Sequence, residues 1–156
     1  MNIRLDSVRP SEREALFRLL QYSLYEESAT DLNEMNDEAL YDYPWFELYF
    51  TADNRWAYLI REQETNKLLG FAMVNTNCKK LPSGYSIAEF MVLPKYRRSG
   101  VGRQAAVACF ERFRGSWEVS PAMGSEQAYR FWKSVIGAYT GETQRFEDGL
   151  FLFSNG

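Results

Sequence analysis

The stretch that most constrains this chain runs from residue 87 to residue 110. It begins with an apolar run, IAEFMVL, that is broken by one carboxylate, and it ends with RQAAVACF, which has a helical composition. Between the two lies a basic segment with two glycines, RRSGVG at residues 97–102. A buried strand, a glycine loop and a helix in this order typically bind phosphate. The glycines let the backbone approach an anion, and the first N–H groups of the helix have no intrahelical partner.

The complete absence of histidine restricts the chemistry open to the chain. It excludes Ser-His-Asp and Cys-His nucleophile systems and argues against a zinc site, so we expect no metal. The two cysteines, Cys78 and Cys109, have neither metal-binding nor disulfide spacing, which favours free thiols in a reducing cytoplasm. Acid–base chemistry must then come from a carboxylate, a tyrosine, a lysine, a cysteine or water.

Length and charge add further limits. A chain of 156 residues, 46% of them hydrophobic, predicts one globular domain with a sizeable core. No apolar run approaches the roughly 20 residues of a membrane span, and the first residues lack a signal-peptide core, so we expect a cytoplasmic protein without membrane association. Residues 1–50 hold 4 basic and 11 acidic residues, a net charge of −7. The remainder of the chain holds 14 basic and 10 acidic residues, a net charge of +4. This charge asymmetry suits a protein that binds a cationic partner on one side and an anionic partner on the other. Alternatively, the acidic residues form a solvated helical surface.

Residue periodicity predicts the element order β-α-α-β-β-β-α-β-α-β-β. The first helix follows Ser11, which stands at capping-box spacing from Glu14, and Ser125 is predicted to cap the last helix, with Gly137 at its end. The strand at 85–93 is apolar on both faces and should be central. The pattern therefore predicts an α/β (α+β) domain: a mixed, mostly antiparallel sheet of six or seven strands with helices on both faces. The predicted strands are 3–8, 56–61, 68–74, 85–93, 116–119, 138–146 and 150–153, and the other helices are 37–42 and 101–113.

The aromatic segment WFELYF at residues 45–50 has two interpretations. Its rings pack against the sheet, which is the commoner role of such residues, or some of them line a binding pocket beside the acidic residues of the N-terminal third.

The segment VLPKYRRSGVG resembles the acetyl-CoA motif of the GCN5-related N-acetyltransferase (GNAT) superfamily. That motif is an Arg or Gln, two residues, a Gly, one residue and a Gly or Ala, preceded by an apolar strand and Pro-x-Tyr-Arg, and every position is matched. The element order and the late segment FWKSVIG, similar to the family's Phe-Tyr-x-x-x-Gly-Phe, extend the resemblance over most of the chain.

The resemblance implies a GNAT-like fold with an acceptor-side helical part (1–54), a cofactor-binding core (55–113) and a C-terminal helix and hairpin (114–156). The central strand would splay from the element at 117–119, and the pantetheine of acetyl-CoA would enter the gap. An amine would attack the thioester directly, with a backbone N–H near Met91 and Val92 polarising its carbonyl. The implied cofactor-binding residues are Met91, Val92 and Leu93 beside the pantetheine and Arg97, Arg98, Ser99, Gly100, Val101, Gly102 and Arg103 at the pyrophosphate.

The attacking amine must lose a proton, and Glu89 is the best candidate base. It lies two residues before Met91 and projects from the same face of the strand. A carboxylate in an apolar run has a raised pKa unless it is paired. Alternatively, Glu89 pairs with a buried arginine or caps a loop, and carboxylates of the first two helices are rival bases.

The resemblance breaks down where the leaving thiolate would be protonated. Trp132 occupies the position at which many members have a tyrosine, and an indole N–H is no useful proton source. Ser125 occupies a frequent asparagine position and either contacts the pantetheine or only caps its helix. Tyr129, one turn before Trp132, could replace the missing acid or simply be a packed aromatic residue.

These observations predict an acetyl-CoA-dependent N-acetyltransferase that acts on the primary amine of a small molecule or peptide, with a cationic acceptor. The alternative is a catalytically degenerate, CoA-binding regulatory module. Nucleotide binding ranks lower, since the loop lacks the Gly-Lys-Ser/Thr ending of a P-loop. Nucleic-acid binding is not expected, because the basic residues are few and interrupted by acids. Exposed aromatic residues would favour a homodimer.

Overall fold

A computed structural model describes all 156 residues and contains one seven-stranded sheet, with strands in the order β1-β2-β3-β4-β5-β7-β6. Neighbouring strands are antiparallel except β4 and β5, which are parallel. The predicted fold class and the predicted order of helices and strands are confirmed. The strands are β1 (Ile3–Ser7), β2 (Arg55–Glu62), β3 (Leu68–Asn75), β4 (Tyr85–Val92), β5 (Ser116–Val119), β6 (Arg145–Glu147) and β7 (Leu150–Ser154), and the helices are α1 (Arg13–Glu27), α2 (Leu48–Thr51), α3 (Val101–Arg112) and α4 (Glu126–Thr140).

Helices cover both faces of the sheet, so each face has its own hydrophobic core. Helices α3 and α4 pack on one face, where Phe110 and Trp117 are fully buried. Helix α1 and the aromatic segment that includes α2 pack on the other face, around Leu16, Leu20 and Phe71. None of these helices is both long enough and apolar enough to cross a bilayer.

The helix predicted at residues 37–42 is wrong. The segment is an irregular turn, because the Asn36 side chain accepts hydrogen bonds from the N–H groups of Glu38 (2.9 Å) and Leu40 (3.1 Å). Asn and Asp side chains compete with helical hydrogen bonds in this way. The second helix lies later, at 48–51, and the Gln21 side chain of α1 fastens the intervening loop through the N–H and C=O of Tyr41 (2.8 Å each).

The strand predicted over residues 138–146 is also wrong over residues 138–144, since only its last two residues belong to β6. Helix α4 continues past Gly137 to Thr140, and it ends where Gly141 adopts a left-handed conformation (φ 65°). The extra turn is retained because Tyr139 packs its ring against Phe110 and Phe153. The predicted Ser11–Glu14 capping box is likewise absent, since a short 3-10 turn (Pro10–Glu12) precedes α1 and the Glu12 carboxylate accepts the Arg9 N–H instead.

An irregularity in β4 opens the sheet. Met73 of β3 pairs with Glu89, whereas the next residue, Val74, pairs with Ile87, so Ala88 is an inserted bulge residue. On its other side, β4 pairs with β5 only over residues 85–87. Beyond Ile87 the two strands separate, and the sheet has a gap at its centre.

Candidate active site

The gap between β4 and β5 opens into a cavity of about 1260 Å³. Its walls come from both hydrophobic cores, from the β3–β4 loop and from the β6–β7 hairpin. Six carboxylates but only two ammonium groups line it, so the cavity is electronegative. The carboxylates are those of Glu27, Asp31, Glu89, Glu118, Glu126 and Asp148, and the ammonium groups those of Lys79 and Lys80.

The edge of β4 that faces this gap carries free backbone groups. The N–H of Leu93 donates to the C=O of Leu69 (2.8 Å), which sets the alternation of hydrogen bonds between β3 and β4. Val92 and Phe90 therefore direct their N–H and C=O groups away from β3, towards the gap. Consistently, the Val92 C=O accepts a hydrogen bond from Arg97 (2.7 Å). Of the three residues predicted to pair with pantetheine, Leu93 has its N–H engaged in the sheet and Met91 follows the same alternation, whereas the N–H of Val92 is free and its C=O is engaged by Arg97.

The loop after β4 presents an unbroken series of N–H groups. From Arg98 to Arg103 no backbone N–H donates to any protein acceptor, and the hydrogen bonds of α3 begin with Gln104 N–H to Gly100 C=O (3.1 Å). Arg98 (φ 62°) and Gly100 (φ 86°) are left-handed, which turns successive N–H groups towards one side. Together with the positive end of the α3 dipole, this segment can bind an anion.

Arg97, by contrast, does not point its side chain at that anion site. Its guanidinium donates to both carboxylate oxygens of Glu26 on α1 (2.9 and 2.7 Å), in addition to the hydrogen bond to Val92. In this structure the Arg97 side chain is engaged by Glu26 and Val92, and its predicted binding of the cofactor stays a prediction. The competing acceptors lie at the end of α1, a feature that local sequence patterns do not show.

The remaining residues of the predicted anion loop have different surroundings. The Ser99 hydroxyl donates to the Tyr96 C=O within the loop, and Arg103 is exposed and donates to Ser134 on α4 (3.1 Å). The side chain of Val101 is fully buried and anchors the start of α3. A Cβ on Gly102 would lie 2.8 Å from the Phe131 ring, so this glycine lets α3 approach α4 closely.

Glu89 lies in the cavity, close to other carboxylates. Burial is the main cause that raises its pKa to about 8, and the negative charges of Glu27 and Asp31 act in the same direction. The nearby Tyr43 hydroxyl and the positive charge of Lys79 lower its pKa but do not offset the burial. Such a carboxylate is a strong base for its residue type and titrates near neutral pH. No arginine pairs with Glu89, which removes the structural alternative considered from sequence.

Two tyrosines extend the surroundings of Glu89. Tyr43 also lies near Tyr49, whose hydroxyl accepts a hydrogen bond from Asn75 (3.0 Å). Burial and the negative charge of Glu89 raise the pKa of Tyr43 far above its ordinary value, so this hydroxyl stays protonated and can only donate to the carboxylate. Sequence reasoning did not single out Tyr43; its position between the acidic loop and Trp45 was the available signal.

The aromatic segment and its surroundings combine both interpretations considered from sequence. Phe46 and Tyr49 are buried in the core beneath α1. Tyr43 and Trp45 form an edge-to-face pair (ring centroids 5.4 Å apart) that lines the cavity near Glu27. Burial raises the pKa of Glu27 as well, which makes it the rival base from α1.

The predicted residues of α4 also lie at the cavity. Trp132 is 6% exposed and packs against Phe90 of β4 (ring centroids 5.0 Å apart). The Ser125 side chain accepts the Ala128 N–H (3.1 Å), which confirms its role as a helix cap, and its own O–H remains available. Tyr129 packs its ring between those of Phe146 and Phe151 and lines the same cavity.

Comparison with known proteins decides what this arrangement is. A family model for the acetyltransferase (GNAT) family matches residues 21–137, which include the C-terminal half of α1, β2–β4, the anion loop, α3, β5 and most of α4. The chain belongs to the GNAT family of acetyltransferases. None of the curated proteins compared with this GNAT acetyltransferase matches it significantly.

Solved structures show the same fold at low sequence identity. A putative acetyltransferase (YycN) from Bacillus subtilis superimposes with a TM-score of 0.63 at 14% identity, covering 86% of this chain and 90% of its own. The aminoglycoside antibiotic 6'-N-acetyltransferase AAC(6')-Ih from Acinetobacter baumannii has a TM-score of 0.60 at 13% identity, and the alignment covers 86% of this chain and 89% of the neighbour. AAC(6')-Iy has a TM-score of 0.60 at 15% identity, and the alignment covers 86% of this chain and 90% of the neighbour. It was solved in complex with a bisubstrate analogue in which CoA is joined to monomethyl-acetylneamine.

Proposed function

We propose that this GNAT acetyltransferase transfers an acetyl group directly from acetyl-CoA to the primary amine of a cationic small molecule or peptide. The observation that carries the proposal is that β4 places a partly buried carboxylate, Glu89, in the cavity and leads directly into a loop with six free N–H groups. The N–H groups of residues 98–103 suit the pyrophosphate, and Glu89 suits the amine.

The donor would lie along β4. The gap-facing groups of Phe90 and Val92 are the available partners for the pantetheine amides, and an N–H of this strand would polarise the thioester carbonyl. Ser125 and Trp132 flank the same space from α4. That a bisubstrate analogue containing CoA binds AAC(6')-Iy supports this arrangement, since the two chains share the fold.

The reaction needs one proton acceptor and one proton donor. Glu89 takes a proton from the ammonium, directly or through water, and the amine nitrogen then attacks the thioester carbonyl carbon. When the C–N bond has formed, the C–S bond breaks and the thiolate of CoA leaves. The Tyr129 hydroxyl or solvent protonates that sulfur, and the second proton that the nitrogen loses as the amide forms passes to Tyr129 or to solvent.

The acceptor side favours a cation. Glu27 and Asp31 contribute negative charge beside Glu89, and Tyr43 and Trp45 add aromatic faces, which attract ammonium groups. That AAC(6')-Ih acts on aminoglycosides, which are polycationic amines, is consistent with this class of acceptor.

The test is thiol release from acetyl-CoA with a panel of amines: aliphatic diamines and polyamines, aminoglycosides, peptides with a free N-terminus or lysine, and uncharged amines. We expect turnover with polycationic members and little with amines that lack a second positive charge. Acetyl-CoA binding by calorimetry without turnover on any amine would indicate the degenerate CoA-binding module instead.

A further inference from the structure

Glu118 is a buried carboxylate that the proposed reaction does not use. It lies in the middle of β5, only 1% exposed, between Trp117 and Val119, which pack against α3 and α4. Because side chains alternate along a strand, Glu118 points to the opposite face, the one that faces the acceptor. It pairs with Ser86 of β4, one residue before the strands separate. A buried charge in this place costs several kcal/mol unless it is well hydrogen-bonded.

The partners of Glu118 are three consecutive backbone N–H groups of the β3–β4 loop. Lys79 donates to one carboxylate oxygen (2.6 Å), and Lys80 (3.0 Å) and Leu81 (3.1 Å) donate to the other. Hydrogen bonds to an ionised acceptor are about twice as strong as neutral ones. The Lys80 ammonium also lies 2.6 Å from Asp148 and 3.8 Å from Glu147, but these pairs are on the surface and contribute little. At the start of the loop, the Asn54 side chain donates to Thr76 (3.2 Å) and Asn77 (3.4 Å), which leaves residues 79–81 to Glu118.

The loop held in this way carries Lys79 to the cavity. Lys79 forms no ion pair within 4 Å, and its positive charge lowers the pKa of Glu89. The other titratable groups that face Glu89 are Glu27 and Asp31, which raise its pKa, and the two tyrosine hydroxyls described above. The position of the loop therefore decides whether a cation offsets the surrounding negative charge.

We propose that Glu118 is a positioning residue that fastens residues 79–81 over the acceptor face and so holds the Lys79 ammonium at the cavity that Glu89 also lines. This inference rests on the proposed function in so far as Glu89 accepts the proton of the amine. Glu118 itself does not touch the reacting atoms; it acts through Lys79.

The experiment is a ¹³C NMR titration of the Glu89 side chain in the full-length protein, compared with Glu118→Gln, Lys79→Met and the double variant. Glu118→Gln replaces one acceptor oxygen by an NH₂ group, so the amide signals of residues 79–81 should move. In both single variants the midpoint of Glu89 should rise by about half a pH unit from its value near 8, since an exposed cation acts through partly screened solvent. The double variant should titrate like Lys79→Met. Glu64→Gln, in the exposed β2–β3 turn, removes one charge elsewhere and should leave the midpoint unchanged.

Two results would overturn the inference. One is an unchanged Glu89 midpoint in folded Glu118→Gln. The other is a Glu89 midpoint in the double variant that lies above the midpoint in Lys79→Met. If Glu118→Gln fails to fold, the Lys79→Met variant tests the inference. An unchanged Glu89 midpoint in that surface variant would show that the charge of Lys79 does not affect Glu89, and would overturn the inference. The acid limb of kcat/KM should move with the NMR midpoint, lowering the rate about threefold at pH 7. If no amine is acetylated, the proposed function fails, while the titration still decides the inference.

Discussion

Arg97 and Glu26 join the anion loop to the end of α1 through two hydrogen bonds of 2.9 and 2.7 Å. The same guanidinium donates to the Val92 C=O (2.7 Å), so one side chain connects the acceptor-side helix with the edge of the gap. The first residue of the GNAT motif thus connects α1 with β4 in this protein. The position of β4 beside the gap therefore depends on the hydrogen bonds of the Arg97 guanidinium.

The first prediction tests that connection. Arg97→Lys should lower the free energy of unfolding by about 1 kcal/mol, because an ammonium cannot bind Glu26 and Val92 in the same geometry. Acetyl-CoA affinity, measured by calorimetry, should change by less than about tenfold, since Arg97 is not a ligand of the anion. Glu26→Gln should have a smaller effect on stability and no larger effect on affinity. Tighter acetyl-CoA binding in Glu26→Gln would show that a freed Arg97 does bind the anion.

The second prediction concerns Gly100. Gly100→Glu should abolish acetyl-CoA binding, because a carboxylate would enter the space that the free N–H groups face. The left-handed backbone adds a stability cost of about 1–2 kcal/mol for a residue with a Cβ. Gly141→Glu is the matched control: Gly141 is also left-handed, has open space around it and lies at the far end of α4. Calorimetry should show normal affinity there, and intact binding by Gly100→Glu would refute the loop assignment.

The third prediction concerns the rate. The kcat/KM for the amine should rise with pH through about 8 as Glu89 loses its proton. Glu89→Gln should lower turnover about 10²-fold near neutral pH, with less effect at pH values where the amine is already deprotonated, and acetyl-CoA affinity should be unaltered. Unchanged turnover across the pH range would exclude Glu89 and leave Glu27 as the base.

The fourth prediction concerns stability. Because the pKa of Glu89 is about 8 when folded and 4.5 for an unperturbed glutamate, the folded state binds more protons between those pH values. The contribution of Glu89 to stability therefore falls as pH rises from about 4.5 to 8. Glu89→Gln should stabilise the protein relative to wild type by an amount that grows over this window, to the order of a few kcal/mol at pH 8. Urea unfolding at pH 5 and pH 8 measures it, and a difference independent of pH would contradict the assigned pKa.

The fifth prediction concerns Tyr129 as the proton donor. Tyr129→Phe should lower kcat about tenfold or more without changing the KM for the amine, because only the leaving thiolate loses a partner. The ring contacts with Phe146 and Phe151 remain, so the unfolding midpoint should not move. A wild-type kcat would assign the proton to solvent.

Local sequence patterns predicted most elements because they depend on neighbouring residues. The apolar run of β4, the stripe of Leu16, Leu19 and Leu20 in α1 and the Ser125 cap were all confirmed. The errors arose where distant contacts outweighed local preference. Asn36 stabilises a turn that Gln21 fastens to α1, and Tyr139 extends α4 because it packs on Phe110 and Phe153.

The sequence by itself determined the order of strands and helices, the anion loop and Glu89 as the candidate base, since each follows from residue type and spacing over a few positions. Only the tertiary structure decided the bulge at Ala88, the pairing of Arg97 with Glu26 and the burial of Glu118 beneath the β3–β4 loop. Those three features join residues between 13 and 71 positions apart. Contacts at such separations depend on how the whole chain packs, and no short pattern encodes them.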